Sequence, residues 1–330
     1  MKKIFNLSNF FIFTLGNYSK KGLIFGIIGV IFVGLQSVVA VSRPKMLDPI
    51  TDAHISATMT CLVEAMIFFP LMLIELKKIK KDNLIHDNNI KSVFQGWKNN
   101  LALLLFVGFI FGVNQIFFFI GYKMAGPING SLTQKTTVFF GMILGYIILK
   151  EKITKLQLFF SFVLFFGLAI AITQFFSLIE FDITILIGVV ILLAISFLWM
   201  FGHTLTKPIL DKKEATPIQM VFIRNFLSGL ILLITYFVFY PIDYRIFIEP
   251  ENVFFFLTMG TVYGSGLICW YKTLSSLEVS KASTIFAPTP ITSAIFSSLI
   301  LGINFTIYHL IGIMIVIISI ILIVNQKTES

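Results

Sequence analysis

The sequence predicts an all-α membrane protein, with ten transmembrane helices arranged as two inverted five-helix repeats. Three observations carry this. Hydrophobic residues make up 57% of the 330 residues and charged residues only 12%, against about 45–50% and roughly 25% in a soluble domain. The apolar residues fall into ten continuous runs, each close to the ~20 residues a helix needs to cross about 30 Å of hydrocarbon. Continuous runs mean helices, because the strands of a membrane barrel alternate. Lysine and arginine gather in every second connection, as they do when one set of loops stays in the cytoplasm. This composition excludes an ordinary soluble enzyme, a disordered chain and a disulfide scaffold. Cys61 and Cys269 both lie in apolar runs and read as packing residues.

Residues 1–22 open with Met1-Lys2-Lys3 and a short apolar stretch at 10–15. Asn6, Ser8 and Asn9 interrupt the approach and no small-x-small cleavage site follows, so the segment reads as cytoplasmic and interfacial. The spans 23–42, 53–76, 100–121, 129–149 and 155–174 form the first repeat, 23–174. The spans 183–206, 216–240, 252–272, 281–301 and 306–325 form the second, 183–325, and 326–330 is a cytoplasmic tail. With the N-terminus inside, Lys20, Lys21, the lysine run at 77–81, Lys150, Lys152, Lys207, Lys212, Lys213 and Lys272 all face the cytoplasm. The outer connections hold only Arg43, Lys45, Lys123 and Arg245. The expected location is therefore the plasma membrane, multi-pass, with both termini cytoplasmic. The net charge of +9 follows from topology and calls for no nucleic-acid partner. The lysine run is a topology anchor drawn to anionic membrane lipid.

The halves echo each other. Gly121-Tyr122-Lys123 ends the third span and Trp270-Tyr271-Lys272 the eighth; Arg43-Pro44 follows the first and Lys207-Pro208 the sixth. Five is odd, so a second copy enters from the opposite side, the inverted repeat of secondary transporters.

Further residues resemble a known family. Gly121-Tyr122-Lys123-Met124-Ala125-Gly126-Pro127 leads into a polar fourth span, and Leu149-Lys150-Glu151-Lys152-Ile153-Thr154 forms the turn after it. Trp199 stands in the sixth span, Arg224 near the start of the seventh, and Pro288 and Pro290 in the ninth. In this order, over roughly 23–325, they resemble the drug/metabolite transporter superfamily, specifically its EamA-like two-repeat type. The resemblance implies 5 + 5 helices around a central cavity. The chain departs from the pattern at Leu301-Gly302-Ile303-Asn304, where the second half lacks the glutamate turn, and in carrying Glu64 and the polar run at Lys135.

A charge near the bilayer centre costs at least about 2.5–3.5 kcal/mol on insertion scales, so such residues face a partner, the bundle interior or water. Glu64 is mid-span in Cys61-Leu62-Val63-Glu64-Ala65-Met66, and Lys135 lies in Ser131-Leu132-Thr133-Gln134-Lys135-Thr136-Thr137. Counting residues from the outer ends puts Gln36, Asn114, Gln115 and Lys135 near one level, roughly 9–10 Å deep, with Glu64 about 6–8 Å deeper. The candidate substrate-binding set is Glu64, Asn114, Gln115, Ser131, Lys135, Gln36, Trp199, Arg224 and Tyr263. His203, Ser283 and Thr284 are further polar groups of the second half. Each has a plainer reading. Glu64 and Lys135 would bridge as a purely structural pair, Arg224 would snorkel, Trp199 and Tyr263 would fill core, and the amides and hydroxyls would make interhelical hydrogen bonds worth about 0.6 kcal/mol each. Pro288 and Pro290 bend or break the ninth helix and free carbonyls for a cavity.

No zinc-protease, serine-hydrolase, phosphate-loop or metal-spaced Cys/His motif is present. The expectation is a secondary, non-ATP transporter, not an enzyme and without a cofactor, working by alternating access. Spans 1–4 and 6–9 would wall the cavity, with the fifth and tenth as scaffold or homodimer faces. The expected cargo is a small polar or amphipathic metabolite. A zwitterion such as an amino acid would set its carboxylate on Lys135 and its ammonium on Glu64. Glu64 is also the candidate coupling site, for protons or another ion, because a buried carboxyl exchanges a proton. The alternatives are a carrier of organic anions or nucleotide-linked solutes, a membrane-embedded enzyme acting on lipid, and a non-transporting membrane subunit.

Overall fold

A computed structural model describes residues 20–83, 96–150, 152–173, 182–240, 243–277, 282 and 285–324. Among the described residues all regular structure is helical. The interfacial segment up to 19, the tail, Glu151, Ser283 and Thr284 lie outside them.

The helices are α1 Lys20–Val41, α2 Pro49–Asn83, α3 Leu101–Ala125, α4 Pro127–Thr133, α5 Thr137–Leu149 and α6 Lys155–Thr173. There follow α7 Ile183–Asp211, α8 Pro217–Phe239, α9 Arg245–Ile248, α10 Pro250–Leu274, α11 Thr289–Leu301 and α12 Ile307–Val324. Among the described residues eight helices are long and apolar enough to cross a membrane, taking α4 and α5 as one; α11 and α12 are shorter apolar helices. Several helices outrun the apolar runs that announce them. The backbone stays hydrogen-bonded past the hydrocarbon edge, so α2 carries its lysines on to Asn83.

Two breaks matter for the site. Between α4 and α5 the chain tightens into a single 3-10 turn, Gln134–Thr136. Thr133, Thr136 and Thr137 each donate their hydroxyl to a carbonyl three or four residues back, at 2.7–2.8 Å. Such back-bonding competes with the regular ladder and bends helices. The second break precedes α11, where residues 286–288 form a turn. Pro290 has no N–H to give to the carbonyl four residues back, so the Phe286 carbonyl is free for other donors.

Close approach of helices rests on small residues, as in membrane bundles generally. A Cβ on Gly188 of α7 would lie 2.5 Å from the backbone nitrogen of Ala125 and 2.9 Å from the Gly121 carbonyl. Gly126, the one residue between α3 and α4, has φ +77°, a conformation that glycine adopts freely. Helix α3 packs on α7 and α8, α2 on α8 and α10, α1 on α10 and α11, α5 on α7, and α6 on α12. Large apolar side chains such as Phe159, Phe162 and Phe166 of α6 and Leu299 of α11 point outward, as a lipid-facing surface requires. Cys61 and Cys269 are both buried and free.

Candidate functional site

A cavity of about 110 Å³ opens where α1, the α4–α5 break, α7, α8, α10 and the α11 break meet. Its walls include Gln36, Lys135, Trp199, Arg224, Tyr263 and Trp270. No lining residue comes from α2 or α3, so these two helices stand behind the wall, in contrast to the expectation that spans 1–4 all contribute. Helices α6 and α12 pair with each other outside it.

Lys135 owes its place to the 3-10 turn, which carries it at its centre. Its ammonium donates to the Phe286 carbonyl at 2.9 Å, the acceptor that Pro290 leaves open. That carbonyl also accepts from the Thr289 hydroxyl at 2.7 Å and the Thr289 amide at 3.2 Å. An ammonium has three donors, and one is used here.

Arg224 sits two turns into α8, whose start is fixed by Pro217 at N1 and a capping box between Thr216 and Gln219. Instead of snorkelling, its guanidinium is buried and lies 4.0 Å from the centre of the Phe111 ring. Tyr263, Tyr271 and Glu64 stand around it. Asn225, the next residue, donates to Glu64 Oε2 at 2.5 Å, while Oε1 has no partner. The bridge expected between Glu64 and Lys135 is therefore not formed. Glu64 is engaged with α8, Lys135 with the α11 break, and the carboxylate lies off the cavity lining.

Of the nine candidates read from the sequence, Gln36, Lys135, Trp199, Arg224 and Tyr263 converge on the cavity, while Glu64, Asn114, Gln115 and Ser131 do not line it. Ser131 donates to the Ile128 carbonyl at 2.9 Å. Asn114 is fully buried with both amide atoms unpaired, and Gln115 Nε2 is unpaired too. Gln134, Trp270 and Phe286 line the cavity without having been singled out. Gln134 stood in the polar run beside Lys135, so its signal was present; Trp270 and Phe286 look like ordinary apolar residues in the chain.

The polar character of the walls is one-sided. Trp199 Nε1, Trp270 Nε1, Gln134 Nε2 and Arg224 Nε are buried donors without partners. Among the described residues two cations line the cavity and no Asp or Glu does. Around them stand aromatic faces: Trp270 meets Phe286 edge-on at 5.3 Å and His203 at 5.6 Å, and Phe118 sits between Trp199 and Tyr263 at 5.8 and 5.6 Å. Such a place holds an acceptor-rich group on a compact apolar body.

Helices of this length and apolarity around an interior cavity define a multi-pass membrane protein. The chain belongs to the EamA-like transporter family, whose model matches residues 20–173 and again residues 186–325. It is similar to the uncharacterized transporter YyaM of Bacillus subtilis (strain 168), with 27% identity over 215 residues, covering 64% of this chain and 68% of that protein. A solved crystal structure of another protein shares the fold at a TM-score of 0.60 and 10% identity, covering 91% of this chain and 95% of that one.

Proposed function

We propose that this protein is a secondary transporter that carries a small organic anion with an apolar body by alternating access. One observation carries the reading: among the described residues, Lys135 and Arg224 share a cavity with unpaired N–H donors and no acidic side chain. A cation meeting a carboxylate or sulfonate there makes charge-assisted hydrogen bonds, the stronger kind. A zwitterion would need an anionic partner for its ammonium, and Glu64 lies off the lining. The aromatic walls take the apolar body.

The ten-helix, two-repeat arrangement belongs to the same proposal. Number the spans α1, α2, α3, α4–α5, α6, α7, α8, α10, α11 and α12. The first span packs on the eighth and ninth, and the sixth on the third and fourth. The third meets the seventh as the eighth meets the second; the second–seventh and fifth–tenth pairs map onto themselves. Shifting every span by five reproduces the pairings, which supports two related halves able to exchange conformations. Lysine placement favours cytoplasmic termini in the plasma membrane.

The test is counterflow in liposomes reconstituted with the purified full chain. Labelled benzenesulfonate suits it, because its sulfonate stays ionised and crosses lipid slowly. The expected result is uptake stimulated by internal benzenesulfonate and competed by benzoate. Stimulation and competition by benzylamine, with neither anion acting, overturns the reading.

A further inference from the structure

Glu64 is a fully buried carboxylate that the binding role leaves unused. Its Oε2 accepts from Asn225, its Oε1 accepts from nothing, and the cation that attracts it is Arg224, which also lines the cavity. The two are not in direct ion-pair contact; the direct ion pairs described are Lys207–Asp211 and Arg245–Asp243. Arg224, which lines the cavity, is followed directly in α8 by Asn225, which holds Glu64 behind the wall. We infer that cargo and Glu64 compete for Arg224, so that each anion bound is accompanied by one proton taken up at Glu64, making the protein an anion–proton symporter. This rests on the anion reading above.

The physical reason is charge balance in a dry interior. Lys135 and Arg224 face the cavity, and Glu64 offsets one of them. A bound anion that draws the guanidinium forward leaves a carboxylate with a single amide hydrogen bond and no compensating cation. An isolated buried charge of that kind is among the most costly arrangements in a protein, and neutralisation relieves it. The proton adds to the unpaired Oε1 and forms the carboxylic acid. When the anion leaves, the guanidinium returns its attraction to Glu64 and the O–H bond breaks, releasing the proton to water. A monoanion and a proton then move together with no net charge. Helix by helix, the groups facing Glu64 are Arg224 and Asn225 from α8, Tyr263 from α10 and Cys61 on α2 itself. Helix α3 brings Phe111 against the Arg224 guanidinium. Around Arg224 stand also Tyr271 of α10 and His203 of α7.

The experiment counts protons. Benzenesulfonate, which does not itself titrate, is added to the purified full chain in weakly buffered detergent solution with a pH-indicating dye, and binding is measured by calorimetry in parallel. One proton taken up per anion bound is expected. By linkage, Kd then tightens tenfold for each unit fall in pH while Glu64 is ionised in the free protein. Glu64→Gln keeps the shape and the Asn225 contact; it should bind with a proton count near zero and a pH-independent Kd. His203→Gln should keep a count of one. Binding with no proton uptake by the unaltered protein overturns the coupling and leaves the anion reading standing, and so does an uptake that vanishes in His203→Gln or survives in Glu64→Gln. Failure of both benzenesulfonate and benzoate to bind overturns both.

Discussion

Replacing Lys135 by methionine separates its two roles. The ammonium is buried, with one hydrogen bond among the described residues, to the Phe286 carbonyl at 2.9 Å. That carbonyl keeps two donors from Thr289 after the substitution, so no buried acceptor is orphaned. A buried cation with no ion-pair partner is exchanged for an apolar chain of similar length, a change that is commonly neutral or stabilising. Folding stability should therefore move by no more than about 1 kcal/mol. Binding should suffer. A hydrogen bond to a charged group is worth about 1.5–3 kcal/mol, and about 1.4 kcal/mol is tenfold in Kd. The loss should thus be roughly 10- to 100-fold for benzenesulfonate, measured by titration calorimetry on protein whose melting temperature and monodispersity match the original. An unchanged Kd in well-folded Lys135→Met would refute the placement of the anion.

Other consequences follow from the same geometry. Trp199→Phe and Trp270→Phe each remove an unpaired indole N–H from the cavity wall, so each should weaken anion binding about 3- to 10-fold without lowering the melting temperature; a fall in stability with unchanged affinity would mean that the donors face elsewhere. Gly188→Ala forces a methyl against backbone atoms of α3 and should destabilise by about 1–3 kcal/mol. At Gly112 the nearest atoms would be 3.5 Å away, so Gly112→Ala should be neutral or gain up to about 1 kcal/mol of helix propensity; thermal unfolding in detergent distinguishes the two. Outside the membrane spans, Asp48 accepts from the Ile50 and Thr51 amides and the Thr51 hydroxyl, which hold its carboxyl below the usual range. A depressed folded value means that its contribution is complete above the unfolded value and is lost as pH falls through the folded one. Protection of the Ile50 and Thr51 amides from hydrogen exchange, taken relative to the intrinsic exchange rate at each pH, should therefore fall on acidification, and Asp48→Asn should remove that dependence.

Much of the fold was readable because the membrane imposes a simple rule: apolar length gives a helix. The ninth helix shows the rule's edge. Its run is long enough, yet a turn at 286–288 interrupts it and the helix Thr289–Leu301 starts afresh with Pro290 in its first turn. Pro288 and Pro290 announced a freed carbonyl, and the Phe286 carbonyl is one that Lys135 uses. Residue type also marked Lys135, Arg224 and Gln36, because polar groups in apolar runs stand out. What residue type could not give was pairing. Depth along the membrane put Glu64 within reach of Lys135, but depth says nothing of rotation about a helix axis, and Glu64 turns towards Asn225. Trp270 and Phe286 were invisible for a related reason: an aromatic residue in a span reads the same whether it meets lipid, core or cavity.

The central claim is that the cavity is built for negative charge. The most direct measurement compares three ligands of nearly equal size, benzoate, benzyl alcohol and benzylamine, by their effect on the melting temperature of the purified protein at one pH and salt concentration. Stabilisation by benzoate, weaker or none by the alcohol and none by the amine is the expected order. Stabilisation by benzylamine above benzoate would contradict it.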